Sequence, residues 1–401
     1  MTADVNGAEA TRSCRGQFAW WLLLILGSVA LYAPTRSFPG TQDVAVITGW
    51  LDEALRVGLA EGLTVPRDYP PGSTALHWLL VVTGTLSLDS VVKTTNLVTL
   101  VLFAAYSAKS DAVRGVQVLG AFALSSAFLG YTDILFAPFA LILARTRVAI
   151  WALTCSFIAM VLLKWTALIA APLVVARLVQ SIRVSNAKSV VQQLLPAGLL
   201  VGVVAWFFSP LVLLDKFQYA MKTTVAPSAN ALNIHWIFSM AAFDGAPYGS
   251  PVYDDLWPSY EPAFTLLTLI FTCGFALLWL SAGALHDLWL VALRGAFSAY
   301  FLLAYSVHEN HLFLAVIFTL FGYWMGTFPG WQLSFIIIFF NANLILFYGF
   351  AGNQRPIEGY EWAGLVSAAI GTVALVIMTI DDAKRLLAPT KSRVASRLLS
   401  R

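Results

Sequence analysis

Charge is scarce in this sequence. Only 11% of its 401 residues are Asp, Glu, Lys or Arg, while 59% are hydrophobic. A soluble domain carries about 25% charged residues, so a soluble protein is excluded. Cysteine is scarce too. Cys14 lies in a polar N-terminal stretch, and Cys155 and Cys273 lie within apolar runs, which excludes a disulfide framework. There is no His-Glu-x-x-His pattern and no cysteine cluster of zinc spacing. A net charge of +3 is no argument for a nucleic-acid partner. Internal repeats and low-complexity segments are absent.

What is present is a succession of long apolar runs. A bilayer takes roughly 17–25 residues of helix to cross. About twelve runs approach that length, at 18–35, 91–107, 116–129, 134–144, 148–162, 166–180, 195–214, 263–281, 292–306, 311–327, 331–350 and 362–380. The first follows Arg12 and Arg15 and reads as a retained helix, because no small-residue cleavage site closes it. The expected fold is an all-α polytopic membrane protein, a single transmembrane domain over 1–401. Outer loops are expected at 36–90 and 215–262, and a basic cytoplasmic tail at 381–401. The apolar stretch 73–87 is too short to span and is expected to lie at the interface within the first loop.

Lysine and arginine set the orientation. With the N-terminus in the cytoplasm, 16 of the 24 basic residues fall inside, among them Lys109, Arg145, Arg177, Arg294 and six in the tail after Asp382. Only six of the 21 acidic residues join them, Asp381 and Asp382 included. The tail suits anionic headgroups.

In that orientation four polar clusters share the outer side: Asp43, DYPPG (Asp68–Gly72), GYTD (Gly130–Asp133) and VHENH (Val307–His311). Asp43 reads as a general base or as a solvated loop aspartate. The two prolines after Tyr69 make a rigid corner, which either holds Asp68 at the lipid surface or simply starts a helix. Asp133 sits at an outer turn. Lys164 ends a run on the same side, where a lysine snorkels to the interface or contacts a phosphate. His308 and His311 are three apart and would share a helix face. They fit phosphate contact, with Glu309 fixing a tautomer, or a divalent metal lacking a third ligand. Nothing in the sequence demands a metal or other cofactor. The second outer loop mixes Asn230, Asn233, Trp236, Asp244, Tyr253, Asp254, Trp257 and Tyr260. That mixture suits sugar binding and equally an interfacial aromatic belt.

The clusters, in this order, resemble the GT-C membrane glycosyltransferases, nearest to those using polyprenyl- or dolichyl-phosphate-linked glucose or mannose. DYPPG is similar to the family's Asp-Tyr-Pro-Pro segment in the first outer loop. LGYTDILFAPFALILA (Leu129–Ala144) resembles its aspartate-containing turn, and KWTALIAAP (Lys164–Pro172) its Lys-to-Pro stretch. SANALNIHW (Ser228–Trp236) resembles a bacterial-type Asn-Ala-x-Asn-x-x-Trp loop, and SVHENH a Val-His-Glu-Lys segment. Asn310 stands where the family carries lysine, and Gly72 where leucine is common.

The resemblance implies an inverting glycosyltransferase of about twelve spans in a bacterial inner membrane, working at the extracytoplasmic face. A hexose or pentose, glucose or mannose foremost, would pass from a polyprenyl phosphate to a glycan or glycolipid. Asp43 would be the base. His308, Lys164 and His311 would hold the donor phosphate. Asp68, Tyr69, Asp133, Glu309, Asn230, Asn233 and Trp236 would bind or position substrate. The rival expectations are a transporter or lipid-linked glycan flippase, whose key charges belong near the midplane of broken helices, and a lipid-linked glycan polymerase or acyltransferase.

Overall fold

The computed structural model describes residues 4–62, 69–145, 147–184, 187–223, 228–229, 231–243, 261–283, 288–305, 307–354 and 356–388. It is all-α and 85% helical. Among the described residues, seven helices are long and apolar enough to cross a membrane: Gln17–Ser37, Val91–Ala108, Trp165–Val184, Lys188–Phe208, Glu261–Ser281, Gly330–Tyr348 and Glu361–Leu387. Four shorter apolar helices join them, at Ala112–Phe128, Thr132–Ala144, Ile150–Leu163 and Trp289–Leu303. With the helix Phe313–Trp324, each of the twelve apolar runs holds a helix. This is the architecture of a polytopic membrane protein.

The chain divides into two compact units. The first takes in Met1–Gly62, Thr74–Pro138 and Leu344–Pro356, and the second Leu63–Ser73, Phe139–Asn343 and Ile357–Arg401. Much of the expected outer loop 36–90 is helical, at Gln42–Val57 and Leu59–Gly62 in the first unit and at Pro71–Val82. Gln42–Val57 is amphipathic and buries Val44, Ile47, Leu51 and Ala54, spaced three and four apart. These side chains pack with Val91 and Val92 under a rim that includes Trp50, Trp78 and Val81. The following helices form a hairpin, capped where Asp111 accepts the Val113 N–H at 3.0 Å. Gly115 keeps the hairpin tight: a Cβ there would lie 2.8 Å from the Ala104 carbonyl and 3.1 Å from Leu24.

The second unit is built around Trp289–Leu303. From Trp289 to Leu302 every residue but Tyr300 is buried. A helix apolar on all sides must be surrounded. Gly295 admits the Phe275 ring, and the Trp279 and Trp289 rings meet edge-on at 4.9 Å.

Two expectations are corrected here. The run 195–214 is not one helix. Ala187–Phe208 ends at Ser209, whose φ is +49°, and Pro210–Thr223 starts afresh, because a proline opens a helix more readily than it continues one. Arg294 and Asp382 are not solvated cytoplasmic charges. Both are fully buried, joined through Arg294 Nε–H to Asp382 Oδ2 at 2.9 Å, with Arg294 Nη1–H donating to Gln332 at 2.6 Å and the Phe328 ring 3.5 Å from the guanidinium. Arg177 is likewise buried, 5.2 Å from the Trp289 ring. The start of the expected basic tail is helical, since Glu361–Leu387 runs through Asp382 with Lys384 and Arg385 in its last turn.

Candidate functional site

The first unit holds two of the candidate carboxylates. Asp43 lies in the first turn of Gln42–Val57 and is half-buried. A helix N-terminus favours a negative charge there. Asp133 is buried in a 3₁₀ turn, Thr132–Phe136. The backbone ties the two segments together. The Thr41 N–H donates to the Leu129 carbonyl at 2.9 Å, and the Gly40 N–H to Ala351 at 3.2 Å. Gly130, at φ +81°, lies so close to Val44 that a Cβ would overlap the valine methyl. The Asn96 amide donates to the Gly130 carbonyl at 2.9 Å, and Lys93 Nζ donates to Phe38 at 2.7 Å and Pro34 at 3.3 Å. Lys93 and Asn96 were missed in the sequence, although a lysine three residues into an apolar run is itself a signal.

The second unit gathers the other candidates. Tyr69 follows the Asp68 position, which lies outside the described residues, and precedes the helix that starts at Pro71. The Pro-Pro corner therefore does start a helix. A Cβ on Gly72 would lie 2.5 Å from the Leu162 carbonyl, so only glycine lets this corner seat on the end of Ile150–Leu163. Lys164 is the next residue but one. Its backbone is extended, φ −161° and ψ 138°, and it is buried between that helix and a 3₁₀ turn, Trp165–Ala170. Lys164 Nζ stands 5.3 Å from the centroid of the Tyr69 ring.

Val307–His308 pairs in parallel with Ser228–Ala229, which joins the SANALNIHW and SVHENH segments. Asn343 clamps the join. Its Oδ1 accepts the Leu232 N–H at 2.9 Å, and its Nδ2 donates to the Glu309 carbonyl at 3.1 Å. Past the strand, Glu309–Leu312 makes one 3₁₀ turn with Glu309 and Asn310 buried. The His308 and His311 rings meet at 5.3 Å. Burial, then the charge of Lys164, then His308 hold the His311 pKa well below the usual histidine value. Lys164, His308 and His311 therefore share one neighbourhood, with Tyr69 beside the lysine. Tyr300 and Asn343 were missed: a tyrosine within an apolar helix and an asparagine within another carry no local pattern.

Two sequence candidates take structural positions instead. Asn233 caps the Ile234–Phe243 helix. Its Oδ1 accepts the N–H groups of His235 at 3.1 Å and Trp236 at 3.3 Å, and its Nδ2 donates to Phe301 at 3.0 Å. It has no exposure and serves as the N-cap of that helix. Trp236 is 1% exposed and packs near Gly364. His235, between them, donates from Nε2 to the Leu303 carbonyl at 3.0 Å, and burial pushes its pKa down to about 4. Asn230 and most of the aromatic–acidic stretch after Phe243 lie outside the described residues.

Among the described residues, no three His, Cys, Asp or Glu side chains are grouped as a metal site. Comparison with protein-family models and with curated proteins yields no match.

Proposed function

We propose that this protein is an inverting glycosyltransferase of the GT-C type, with about twelve spans and an outer-face site. It moves a hexose or pentose from a polyprenyl-phosphate donor to a glycan or glycolipid hydroxyl. The observation that carries the proposal is the meeting of Tyr69, Lys164, His308 and His311, drawn from three distant polar segments, within one unit. A cation beside N–H donors suits the phosphate that leaves in glycosyl transfer, where stabilising the developing negative charge is the main task. A donor with a lipid tail accounts for a catalytic protein built from apolar helices. Asp43 is the proposed base toward the acceptor hydroxyl, assigned from its place in the motif order and its position at a helix N-terminus.

The transporter reading would draw on the charges within the helices. Those of Arg294 and Asp382 are closed on each other and on Gln332, which leaves them little to offer a passing substrate.

The test is turnover by the full chain in lipid, read as release of polyprenyl monophosphate, together with the lipid profile of cells lacking the protein. Wild type should release the phosphate and restore the profile. Asp43→Asn should lose turnover by about a hundredfold or more while keeping its fold. Normal turnover in that variant would remove Asp43 from catalysis. Absence of phosphate release by the wild type, with sugar-lipid moved intact across the bilayer, would establish transport instead.

A further inference from the structure

The connection from the Trp289–Leu303 helix into Phe313–Trp324 closes on itself through its two histidines. The His308 side chain accepts the backbone N–H of His311, and the His311 side chain accepts the backbone N–H of His308. The second bond reaches Nδ1 at 3.3 Å. This is the reciprocal logic of a capping box, with imidazoles as both acceptors. Tyr300, the half-buried member of its otherwise buried helix turn, brings its hydroxyl to 2.9 Å from the same Nδ1. Its ring lies nearly parallel to the His311 ring at 5.7 Å.

A backbone N–H can only donate. Nδ1 of His311 therefore accepts and carries no hydrogen, and the neutral ring holds its hydrogen on Nε2. The tyrosine hydroxyl must donate as well. A proton on Nδ1 would face the fixed hydrogen of the His308 N–H and would force the tyrosine hydroxyl to turn and accept, so the local geometry opposes the imidazolium. Among the described residues no protein acceptor sits on the Nε2 hydrogen. By the same reasoning one nitrogen of His308 is held as an acceptor.

We infer that Tyr300 is a positioning residue which, with the reciprocal backbone bonds, locks His311 as the neutral Nε2–H tautomer, so that it offers a phosphate oxygen a fixed N–H donor. The inference rests on the phosphate-binding role proposed above. It assigns the positive charge of the cluster to Lys164 and the directional hydrogen bond to His311. It also replaces Glu309 as the group setting this ring's tautomer. A ring whose free nitrogen carries hydrogen is neither a general base nor a metal ligand.

The test uses the full chain in lipid nanodiscs, labelled with ¹⁵N-histidine, with His311 assigned by its loss in His311→Gln. The wild-type ring should show one protonated nitrogen, Nε2, at neutral pH. Tyr300→Phe should shift the Nδ1 resonance or add a second tautomer. A doubly protonated or Nδ1–H ring in the wild type, or an unchanged spectrum in Tyr300→Phe, would overturn the lock. Binding is then measured with farnesyl phosphate. Tyr300→Phe should weaken it about five- to tenfold, the worth of one hydrogen bond. His311→Gln keeps an N–H near the Nε2 place and should bind more tightly than His311→Ala; equal weakness of the two would end the donor role. A locked tautomer in a wild type that does not bind farnesyl phosphate would sink the glycosyltransferase reading and leave the Tyr300 assignment standing.

Discussion

Arg294 and Asp382 meet inside regular helices with no exposure. Lys164, His308 and His311 meet on irregular backbone, with the lysine buried and both histidines partly buried. Both clusters belong to the second unit, and they are built on opposite plans. The arginine and aspartate cancel each other's charge, and Nη1 of the arginine donates to Gln332. Such a pair joins helices and has no need of anything else. The second cluster is held where helices give way to irregular backbone, with Tyr69 beside Lys164 and the Tyr300 hydroxyl on His311. In an apolar chain, a charge becomes a candidate for function less by being rare than by sitting where the helix stops.

The largest effect should come from breaking the closed plan. Arg294→Ala strands a buried carboxylate, which costs about 3–5 kcal/mol. The thermal midpoint in detergent should fall steeply. Arg294→Met with Asp382→Leu removes both charges and should recover most of the loss, since an apolar pair often matches a buried ion pair. Turnover by the double variant should stay near wild type. If the double variant is folded but inactive, the pair belongs with the functional charges and the contrast is broken.

The opposite outcome is expected at Lys164. Lys164→Met should leave the midpoint nearly unchanged, because the aliphatic stem is kept. Affinity for farnesyl phosphate should fall about tenfold to a hundredfold, the worth of a charge-assisted hydrogen bond, roughly 1.5–3 kcal/mol. Titration calorimetry in nanodiscs reads the affinity directly. A large loss of stability with unchanged affinity would move Lys164 into the structural class.

Much of this architecture was legible because length and apolarity alone mark a helix in a membrane protein. Each of the twelve runs holds one, and the DYPPG corner starts a helix at Pro71. Breaks within runs were harder. Ser209–Pro210 sits in an apolar stretch, and only the rule that proline begins helices could have split it. Charge was harder still: Arg294 and Asp382 were counted among the cytoplasmic charges that set the orientation, and the 88-residue separation of the partners leaves no local trace of their pairing. Candidate residues at motif ends were readable by type. Tyr300, Asn343 and Lys93 were not, since each acts through a partner that only the fold supplies. Asn233 shows the converse: its motif was readable, and its cap role needed the backbone.

The smallest effect should come from Gly130, and it decides to which plan the first unit's junction belongs. At φ +81° an alanine costs about 1–2 kcal/mol, and its Cβ would press on Val44, the neighbour of Asp43. Gly120→Ala is the control. That glycine is exposed in a helix with nothing within 4 Å of a Cβ, so the change should be neutral or stabilise by about 0.5–1 kcal/mol. Gly130→Ala should lower the midpoint by a few degrees, and turnover should fall by more than the folded fraction does, because displacing Val44 tilts the turn that carries Asp43. A midpoint loss with turnover per folded molecule unchanged would make the Gly130–Val44 contact a closed structural joint like Arg294–Asp382. Loss of both would tie the helix start at Asp43 to the chemistry through backbone packing, a link between the Asp43 and GYTD segments that neither one announces in the sequence.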